Sequence, residues 1–303
     1  MNGTPLVSII SLNYNQPDVT CAFLESTKTL FYSRFEIIVV DNGSKISSAK
    51  QIEQKSFPNT RVIVSDKNLG FAGGNNLAML EAQGDYILLL NNDTEVTPNL
   101  IELMIEPFLQ DERTGMVSPK IKFYHHPDTI QYAGFEQMNP YTGRSKMIGN
   151  KEVDRGQHDA LRETYGAHGA AMMVKKQLIK EVGMFSEDYF LYYEEWDWST
   201  RARKAGYKVI YQPKAIVYHK ESVTVGKKSP LKAYFHTRNR ILYMRRNTEK
   251  RQFLVFVLFF TFFSVPKALV KYVSALEFKH AKAFIKGIGW NLRAFFSPAI
   301  NRS

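Results

Sequence analysis

The sequence contains one cysteine, Cys21, among its 303 residues. A single thiol forms neither an internal disulfide nor a zinc site built from cysteines, so the fold must be held together by its apolar core. The absence of disulfides agrees with a reducing compartment. Because Cys21 lies in a helical pattern and no histidine is near it in the sequence, we interpret it as a packing residue and not as a nucleophile.

Signals for several other protein classes are also absent. The turn after the first apolar run, residues 11–17, has no glycine, which excludes the G-x-G-x-x-G fingerprint of dinucleotide-binding enzymes at that place. The phosphate-binding motif G-x-x-x-x-G-K-[ST] does not occur, which argues against a P-loop nucleotide hydrolase. The apolar run at residues 6–12 is too short and too weakly flanked for a secretory signal, so we expect a cytoplasmic protein unless another segment attaches it elsewhere.

Acidic residues are too few to balance the basic ones. Lysine and arginine number 40 against 29 aspartates and glutamates, which gives a formal net charge of +11. This excess favours anionic partners such as phosphorylated small molecules, anionic lipids or nucleic acid. The positive charge is dense at residues 227–251 and returns after residue 267, whereas the first hundred residues carry no such block.

The most apolar segment, residues 253–265, lies inside that basic region. It is shorter than the roughly 20 residues that a membrane-spanning helix needs, and Pro266 and Lys267 interrupt its extension. The other basic residues around it are Arg245, Arg246, Lys250, Arg251, Lys271, Lys279, Lys282 and Lys286. This pattern is typical of a helix lying in the interface of an anionic membrane; the alternative is a buried core or dimer helix. Positive charge beside an aromatic run disfavours a nucleic-acid partner.

Strands and helices alternate along the first half of the chain. The predicted strands are residues 7–13, 36–41, 61–65 and 86–91, and the predicted helices are 18–31, 46–56 and 71–82. Alternation of this kind predicts an α/β fold with a mostly parallel sheet covered by helices on both faces. Ligands of such sheets bind at the carboxyl ends of the strands.

The second half of the chain is less regular. Its predicted elements are strands at 116–123, 170–175, 208–212 and 215–219, a polar loop over the site at 141–164 and a helix at 194–205. Gly206 ends that helix as a cap, and Pro213 separates the last two strands. Helical patterns prevail afterwards, so we divide the chain into residues 1–230 and a basic, helical, membrane-associating C-terminal extension, residues 231–303.

Polar side chains follow each of the four strands predicted in the first half. The clusters are Asn13-Tyr14-Asn15, Asp41-Asn42-Gly43-Ser44, Asp66-Lys67-Asn68 and Asn91-Asn92-Asp93. Each cluster alone has a simple alternative, because asparagine, aspartate and glycine are common turn formers. Their recurrence at the same end of successive parallel strands predicts that they share one edge of the sheet.

Some of these residue types suit the binding of a nucleotide diphosphate. A carboxylate at Asp93 can reach a divalent cation held by a diphosphate, because Mg²⁺ and Mn²⁺ prefer oxygen ligands. Asp41 is placed to accept hydrogen bonds from a base or a ribose. Gly70, Gly73 and Gly74 let the backbone approach a ligand closely, and the start of the helix that contains them favours phosphate.

The pair Glu194-Glu195 opens a helix after a run of aromatic residues. Adjacent carboxylates do not share a helix face, so one can point into a site while the other faces away. Packing against Trp196 would raise the pKa of the inward carboxyl group, as a general base requires. The alternative is a pair of acidic residues that favour the helix dipole.

Two histidines complete the set of candidates. His219 ends a predicted strand and offers a neutral ring nitrogen as a metal ligand, although a single histidine is more often structural. His168 precedes Gly169 and two alanines, whose small side chains leave room for an acceptor.

Taken in order, these segments resemble the family 2 glycosyltransferases, which have the GT-A fold, and are most similar to their bacterial rhamnosyltransferase-like branch. The matching stretches are VSIISLNYN (7–15), VVDNGS (39–44), NLGFAGGNN (68–76), LLLNNDT (88–94), FLYYEEWD (190–197) and VYH (217–219). The resemblance covers about residues 6–246, and the order and spacing of so many pieces make it specific. The segment Arg238-Asn239-Arg240 and the apolar helix after it also resemble this branch.

The resemblance implies a role for each candidate. It implies donor contacts by Asn13, Tyr14, Asn15, Asp41, Asp66, Asn68, Gly70, Phe71, Gly74, Asn75, Asn91 and Asn92, and acceptor contacts by His168, Gly169 and Trp196. The DXD-type motif of the family falls on residues 91–93, where the one carboxylate implies that Mg²⁺ or Mn²⁺ rests mainly on Asp93, with His219 as second ligand. Glu195 takes the position of the catalytic base. Because Glu-Glu replaces the usual Glu-Asp, Glu194 remains an alternative.

The resemblance also implies the reaction. It is the inverting transfer of a sugar from dTDP-rhamnose or a UDP-sugar to a hydroxyl of a saccharide acceptor, expected to be lipid-linked, in cell-surface polysaccharide biosynthesis. The enzyme would be peripheral, at the cytoplasmic face of the cytoplasmic membrane. One alternative is a nucleotidyltransferase acting on sugar phosphates, which would carry a glycine- and arginine-rich loop after the first strand. Another is an inactive, membrane-associated carbohydrate-binding protein, which the Glu-Glu variation leaves open.

Overall fold

The computed structural model describes residues 3–47, 49–220 and 229–295, so Lys227 and Lys228 of the predicted basic block lie outside it. The strands are β1 (Val7–Asn13), β2 (Phe35–Asn42), β3 (Thr60–Ser65), β4 (Tyr86–Leu90), β5 (Thr94–Val96), β6 (Thr114–Phe123), β7 (His126–Tyr132), β8 (Arg162–Glu163), β9 (Ala171–Lys175) and β10 (Lys208–His219). The helices are α1 (Pro17–Thr27), α2 (Ala49–Gln54), α3 (Gly70–Glu81), α4 (Leu100–Gln110), α5 (Lys176–Val182), α6 (Glu194–Lys204), α7 (Pro230–Asn247), α8 (Lys250–Phe259), α9 (Val265–Ser274) and α10 (Phe278–Phe295). A 3₁₀ turn covers Glu187–Tyr189, and a π-helical turn covers Phe260–Ser264.

The strands form one sheet in the order β3-β2-β1-β4-β9-β6-β10-β5, with β7 paired to β6 and β8 paired to β10. Strands β3, β2, β1 and β4 are parallel, as the sequence predicts. Strand β9 runs antiparallel to both β4 and β6, whereas β10 is parallel to β6. The sheet is therefore parallel in its first half and mixed in its second half.

Two apolar clusters cover the two faces of this sheet. Ile9 of β1 belongs to one cluster with residues of α1 and α4, and its neighbour Ile10 belongs to the other with residues of α3 and α6. Successive side chains of a strand point to opposite faces, so a strand buried on both faces needs an unbroken apolar run. This requirement explains the apolar runs 37–40 of β2 and 87–90 of β4, whereas β1 also buries Ser8 and Ser11 among its apolar residues.

The prediction is wrong for the last strand and incomplete elsewhere. Residues 208–219 form one strand and not two, because Pro213 falls in a register shift between Gln212 and Ile216 where the ladder does not need its missing N–H group. Helices α4 and α5 and strands β5 and β7 were not predicted. Gly206 does follow α6 with a positive φ of 88°, as a helix-ending glycine requires.

The polar stretch 141–164 is anchored by a buried lysine of β6. The Nζ atom of Lys120 lies 3.1 Å from Asp154 Oδ2 and 2.5 Å from Asp159 Oδ1. Tyr211 of β10 also donates a hydrogen bond from its hydroxyl to the carbonyl of His158 at 3.0 Å. These contacts hold the middle of the stretch against β6 and β10.

The apolar C-terminal helix is longer than predicted. It is continuous over Lys250–Ser274, 25 residues, and is long and apolar enough by composition to cross a membrane, with 17% of its most apolar window buried. Pro266 does not interrupt it, because the π-helical turn Phe260–Ser264 precedes it and places the proline in the first turn of α9. The prediction of a helix too short to span a membrane is therefore wrong.

Helices α7 and α10 pack against each other. Asn291 of α10 donates a hydrogen bond from Nδ2 to the carbonyl of Arg238 in α7 at 2.9 Å. Leu242, Tyr243 and Met244 of α7 are buried in the same apolar cluster as the strands. Helix α7 thus belongs to the sheet's core as well as to the C-terminal helices.

Substitution of Gly70 by alanine should destabilise the fold by about 2 kcal/mol or more. Gly70 has a φ of +73°, and a Cβ atom there would lie 2.3 Å from the carbonyl oxygen of Phe190. Gly289 of α10 is the matched control, since a Cβ atom there meets no atom within 4 Å and alanine favours a helix by up to ~1 kcal/mol. Thermal unfolding of both variants measures the difference, and equal melting temperatures would contradict the packing described for Gly70.

Candidate active site

A buried hydrogen-bond network joins the carboxyl ends of β1, β2 and β4. Asn92 Nδ2 donates to Thr20 Oγ1 at 3.0 Å, and Thr20 Oγ1 donates to Asn13 Oδ1 at 2.9 Å. Asn13 Nδ2 in turn donates to Asp41 Oδ1 at 3.1 Å. Three of the predicted polar clusters therefore meet at one edge of the sheet. Thr20 was not predicted, because nothing in the sequence shows that the first turn of α1 faces these strands.

Asp41 organises the turn that follows β2. Its side chain is 1% exposed and accepts hydrogen bonds from the hydroxyls of Ser44 and Ser47, in addition to Asn13. Gly43, with a φ of +72°, lets the backbone of residues 67–68 approach, since a Cβ atom there would lie 2.3 Å from the amide nitrogen of Asn68. The turns after β2 and β3 are thereby packed together.

The outer members of the predicted donor set are more exposed than Asp41. Asn15 is exposed, but its Oδ1 accepts the backbone amide of Lys45 at 2.8 Å, and its own amide donates to Ser44 Oγ at 2.9 Å. Asn68 accepts the amide of Gly70 at 2.8 Å. Tyr14 is half-buried and Asp66 is exposed. Their contacts with a nucleotide stay predictions.

The start of α3 is occupied by protein. The carbonyl of Phe190 accepts hydrogen bonds from the amides of Phe71 at 2.6 Å and Ala72 at 3.3 Å. A Cβ atom on Gly74 would lie 3.0 Å from the Nδ2 atom of Asn42. The glycines of α3 therefore let Phe190 and Asn42 approach the helix closely. The predicted phosphate site at this helix end is corrected, because two of its backbone amides already donate hydrogen bonds to Phe190. Asn75 also turns inward, because its Nδ2 donates to the carbonyl of Phe71 at 2.9 Å.

Asp93 and His219 lie side by side, although 125 residues separate them in the sequence. His219 Nε2 is 3.1 Å from Asp93 Oδ1, and both side chains are buried. His219 Nδ1 lies 2.8 Å from Oε1 of Gln131, an oxygen that only accepts hydrogen bonds, so Nδ1 carries a proton. In a neutral imidazole the Nε2 lone pair then faces the carboxylate, and a proton or a cation must lie between them.

This pair fits a divalent cation. A buried carboxylate oxygen and an imidazole nitrogen are ligands that Mn²⁺ accepts, and Gln131 orients the imidazole in the way typical of metal-binding histidines. The described residues hold no group of three or more Asp, Glu, His and Cys side chains that could bind a metal. Further ligands would therefore come from water or from the phosphates of a donor.

The Glu194-Glu195 pair begins α6 directly after a strained turn. Phe190, Tyr192 and Tyr193 have φ values of 61°, 69° and 75°, which residues other than glycine rarely adopt. Strain of this kind persists only where the surroundings impose it, and it is often found at active sites.

The two carboxyl groups are held away from water. Glu194 is 3% exposed and Glu195 is half-buried, and in the described part of the chain the Oε2 atom of each is inaccessible and has no hydrogen-bond partner. Burial raises the pKa of Glu195 to about 7. Burial, followed by the charge of Glu195, raises the pKa of Glu194 well above its usual range. Desolvation, with the charge repulsion between the two groups, therefore raises the pKa of the pair toward neutral pH, which suits a general base.

A row of aromatic rings connects α6 to the Asp93–His219 pair. Trp196 packs on Phe135 with ring centroids 4.7 Å apart, and Phe135 stacks on His168 at 6.1 Å. His168 lies 6.3 Å from His219. Burial lowers the pKa of His168 to about 3, so its ring is neutral and its Nδ1 accepts the amide of Ala170 at 3.1 Å. Of the predicted acceptor residues, Trp196 and His168 therefore belong to the row of rings that links α6 to the candidate metal ligands.

Comparison with known proteins shows the family to which this chain belongs. The model of glycosyl transferase family 2 matches residues 8–183. This chain belongs to that family.

Among its relatives is the N-acetylglucosaminyl-diphospho-decaprenol L-rhamnosyltransferase of Mycobacterium tuberculosis, 24% identical over 74% of this chain and 79% of the relative. A protein of Sinorhizobium fredii, y4gI, is 30% identical over 84% of this chain, but this chain spans only 28% of its length. The solved mannosyltransferase PcManGT of Pyrobaculum calidifontis, in complex with GDP-Man and Mn²⁺, has a TM-score of 0.59 and 16% identity over 96% of this chain and 81% of that one. The predicted family, its rhamnosyltransferase-like relatives and the GT-A fold are confirmed.

Replacing Glu195 with glutamine should lower kcat by about 10²–10⁴-fold while leaving the affinity for the donor nucleotide unchanged. Because a general base acts only when deprotonated and the raised pKa of Glu195 is about 7, wild-type kcat/KM should fall as the pH drops below about 7. Glu194→Gln is the control, and with Glu195 as the base this variant should keep both activity and the acidic limb. A pH–rate profile of the three proteins decides between the carboxylates, because the opposite pattern would assign the base to Glu194.

Proposed function

We propose that this family 2 glycosyltransferase transfers a sugar, with inversion, from dTDP-rhamnose or a UDP-sugar to a hydroxyl of a lipid-linked saccharide. The observation that carries the proposal is the row of packed rings, Trp196, Phe135 and His168, which links the helix of the buried carboxylate pair to the Asp93–His219 pair. The relative named as a decaprenol-diphosphate rhamnosyltransferase supports both the rhamnosyl donor and the lipid-linked acceptor.

In the proposed reaction the Glu195 carboxylate takes the proton of the acceptor hydroxyl. The acceptor oxygen forms a bond to the anomeric carbon of the sugar, and the bond from that carbon to the diphosphate oxygen breaks with its electron pair leaving on the nucleoside diphosphate. A divalent cation held by Asp93 and His219 would supply neutralisation of the charge on that diphosphate. Charge repulsion between the two neighbouring carboxyl groups favours a single negative charge on the pair, and exclusion of water from Glu195 raises its pKa and strengthens its basicity.

The polar edge of β1 and β2 provides the proposed nucleotide site. The buried side chains of Asp41 and Asn13 are held in place by their mutual hydrogen bond. The other proposed donor contacts come from exposed side chains, those of Asn15, Asp66 and Asn68. His168 and Gly169 are the proposed acceptor residues. Rigid donors and acceptors reduce the entropy lost on binding.

We also propose that the protein is attached peripherally to the anionic cytoplasmic face of the cytoplasmic membrane through the helix Lys250–Ser274. Phe262, Phe263 and Val270 on this helix are each 68% exposed, which a core helix would not allow. Lys267 within the helix disfavours a spanning arrangement, because an unpaired ammonium in hydrocarbon is costly.

The opposite face of that helix contacts the catalytic domain. The guanidinium of Arg240 lies 5.6 Å from the ring of Phe256 and 5.3 Å from that of Phe260. A helix packed in this way on a protein surface is able to lie along a membrane with its exposed apolar side in the lipid interface.

A thermal-shift panel of nucleoside diphosphates with Mn²⁺ tests the proposed donor site. The cognate dTDP or UDP at about 100 times its Kd should raise the melting temperature by roughly 5 °C, because ligand binding stabilises only the folded state. Asp93→Ala should abolish the Mn²⁺-dependent part of the shift, whereas the exposed control Asp128→Ala should keep it. Stabilisation by a nucleoside triphosphate and a sugar 1-phosphate instead would support a nucleotidyltransferase and overturn the proposal.

Sedimentation with vesicles tests the membrane surface. The double variant Phe262→Asp/Phe263→Asp should bind vesicles containing phosphatidylglycerol at least about tenfold more weakly, because two exposed apolar anchors are lost. Leu109→Asp is the control: Leu109 is 74% exposed but lies on α4, so binding should not change. Equal sedimentation of all three proteins would refute the proposal, as would a double variant that becomes monomeric while the wild type is a dimer without affinity for vesicles.

A further inference from the structure

The strained turn before Glu194 is bound by a single buried amide of α7. Asn239 is 0% exposed, and its Nδ2 atom lies 2.8 Å from the carbonyl oxygen of Tyr189 and 2.7 Å from those of Leu191 and Tyr192. The amide thus donates to three carbonyl groups of the turn that directly precedes Glu194.

Arg238 fixes the orientation of that amide. Its Nε donates to Oδ1 of Asn239 at 2.7 Å, so the NH₂ group of Asn239 must face the turn. Its Nη2 donates to the carbonyl of Tyr189 at 2.6 Å and also to that of Asp188. The two neighbouring residues of α7 therefore hold four carbonyls of the turn between them.

The turn needs this support because its conformation is unfavourable by itself. Phe190, Tyr192 and Tyr193 all have positive φ values, and each such residue costs on the order of 1–3 kcal/mol. On its other side the turn is tied to α3 through the carbonyl of Phe190. The turn is thus clamped between α3 and α7, and α6 begins at Glu194 immediately after it.

We propose that Asn239, oriented by Arg238, is a positioning residue for the carboxylate pair: it imposes the left-handed turn that directs Glu194 and Glu195 into the site. The proposal deepens the proposed function and rests on it. Asn239 itself is buried behind the turn and acts only through the backbone that it holds. Loss of its donor releases the turn and misplaces the base, which costs about a hundredfold in rate for a shift of about 1 Å.

Steady-state kinetics of Asn239→Leu and Asn239→Asp test the proposal. Both variants lack the NH₂ donor, so kcat should fall about a hundredfold while the Kd for the nucleoside diphosphate with Mn²⁺ changes less than about twofold, because the donor edge is built by β1, β2 and β4. Arg238→Lys keeps the charge but loses the Nε donor, so kcat should fall less, by about tenfold. Gln212→Leu is the control, since Gln212 is 4% exposed and donates to the carbonyl of Leu103 at 3.1 Å, far from the turn in the chain.

Two results would overturn the proposal. One is a loss of kcat in the Asn239 variants no larger than in Gln212→Leu. The other is unchanged amide hydrogen exchange of residues 188–195 in Asn239→Asp, a measurement that needs no activity and also applies if Asn239→Leu does not fold. Failure of the proposed function has a different signature, because wild-type protein would then release no nucleoside diphosphate from any nucleotide sugar, whatever the exchange of the turn.

Discussion

The pairing register of β1 with β2 is the constraint on which the site depends. It places Asn13 opposite Asp41, and a shift of β1 by one residue would turn the side chain of Asn13 to the other face of the sheet, away from Asp41. Once the register is set, Asn13 links Asp41 to Thr20 and Asn92, so that three strand ends share one buried network. Such a network is stable only when all its members are satisfied, which makes this edge rigid before any ligand binds.

The Glu194–Glu195 pair differs from this network, because its buried carboxyl oxygens lack hydrogen-bond partners among the described residues. The Oε2 atoms of Glu194 and Glu195 are buried without a partner in the described part of the chain, and the turn before them is strained. This cost is balanced by the contacts of α3 and α7, since the carbonyl of Phe190 caps α3 and Asn239 binds the turn from behind. The satisfied network at the edge of β1, β2 and β4 thus contrasts with the poorly solvated carboxyl groups at the start of α6.

Helix α7 also connects this chemistry to the proposed membrane surface. Arg238 and Asn239 bind the strained turn before Glu194. Arg240 lies against the rings of Phe256 and Phe260. Asn291 of α10 donates a hydrogen bond to the carbonyl of Arg238. The division of the chain at residue 230, made from composition, places this helix in the extension. Its packing shows that three successive residues of α7, at positions 238–240, together contact both the strained turn before Glu194 and the C-terminal helices.

Local patterns in the sequence determined the alternation of strands and helices, the polar residues at strand ends and the motifs of the family, because these depend on neighbours along the chain. Only the tertiary structure decided which of those residues touch. The contact of Asp93 with His219, the roles of Thr20 and Gln131, and the capping of α3 by Phe190 join residues far apart in sequence. The left-handed turn was beyond sequence reasoning for the same reason, since its strain is imposed by distant segments that pack around it. The raised pKa that the sequence predicts for one carboxyl group of the Glu194–Glu195 pair is found for both, because burial desolvates both. The continuity of the helix through Pro266 likewise depended on a π-helical turn that no propensity records.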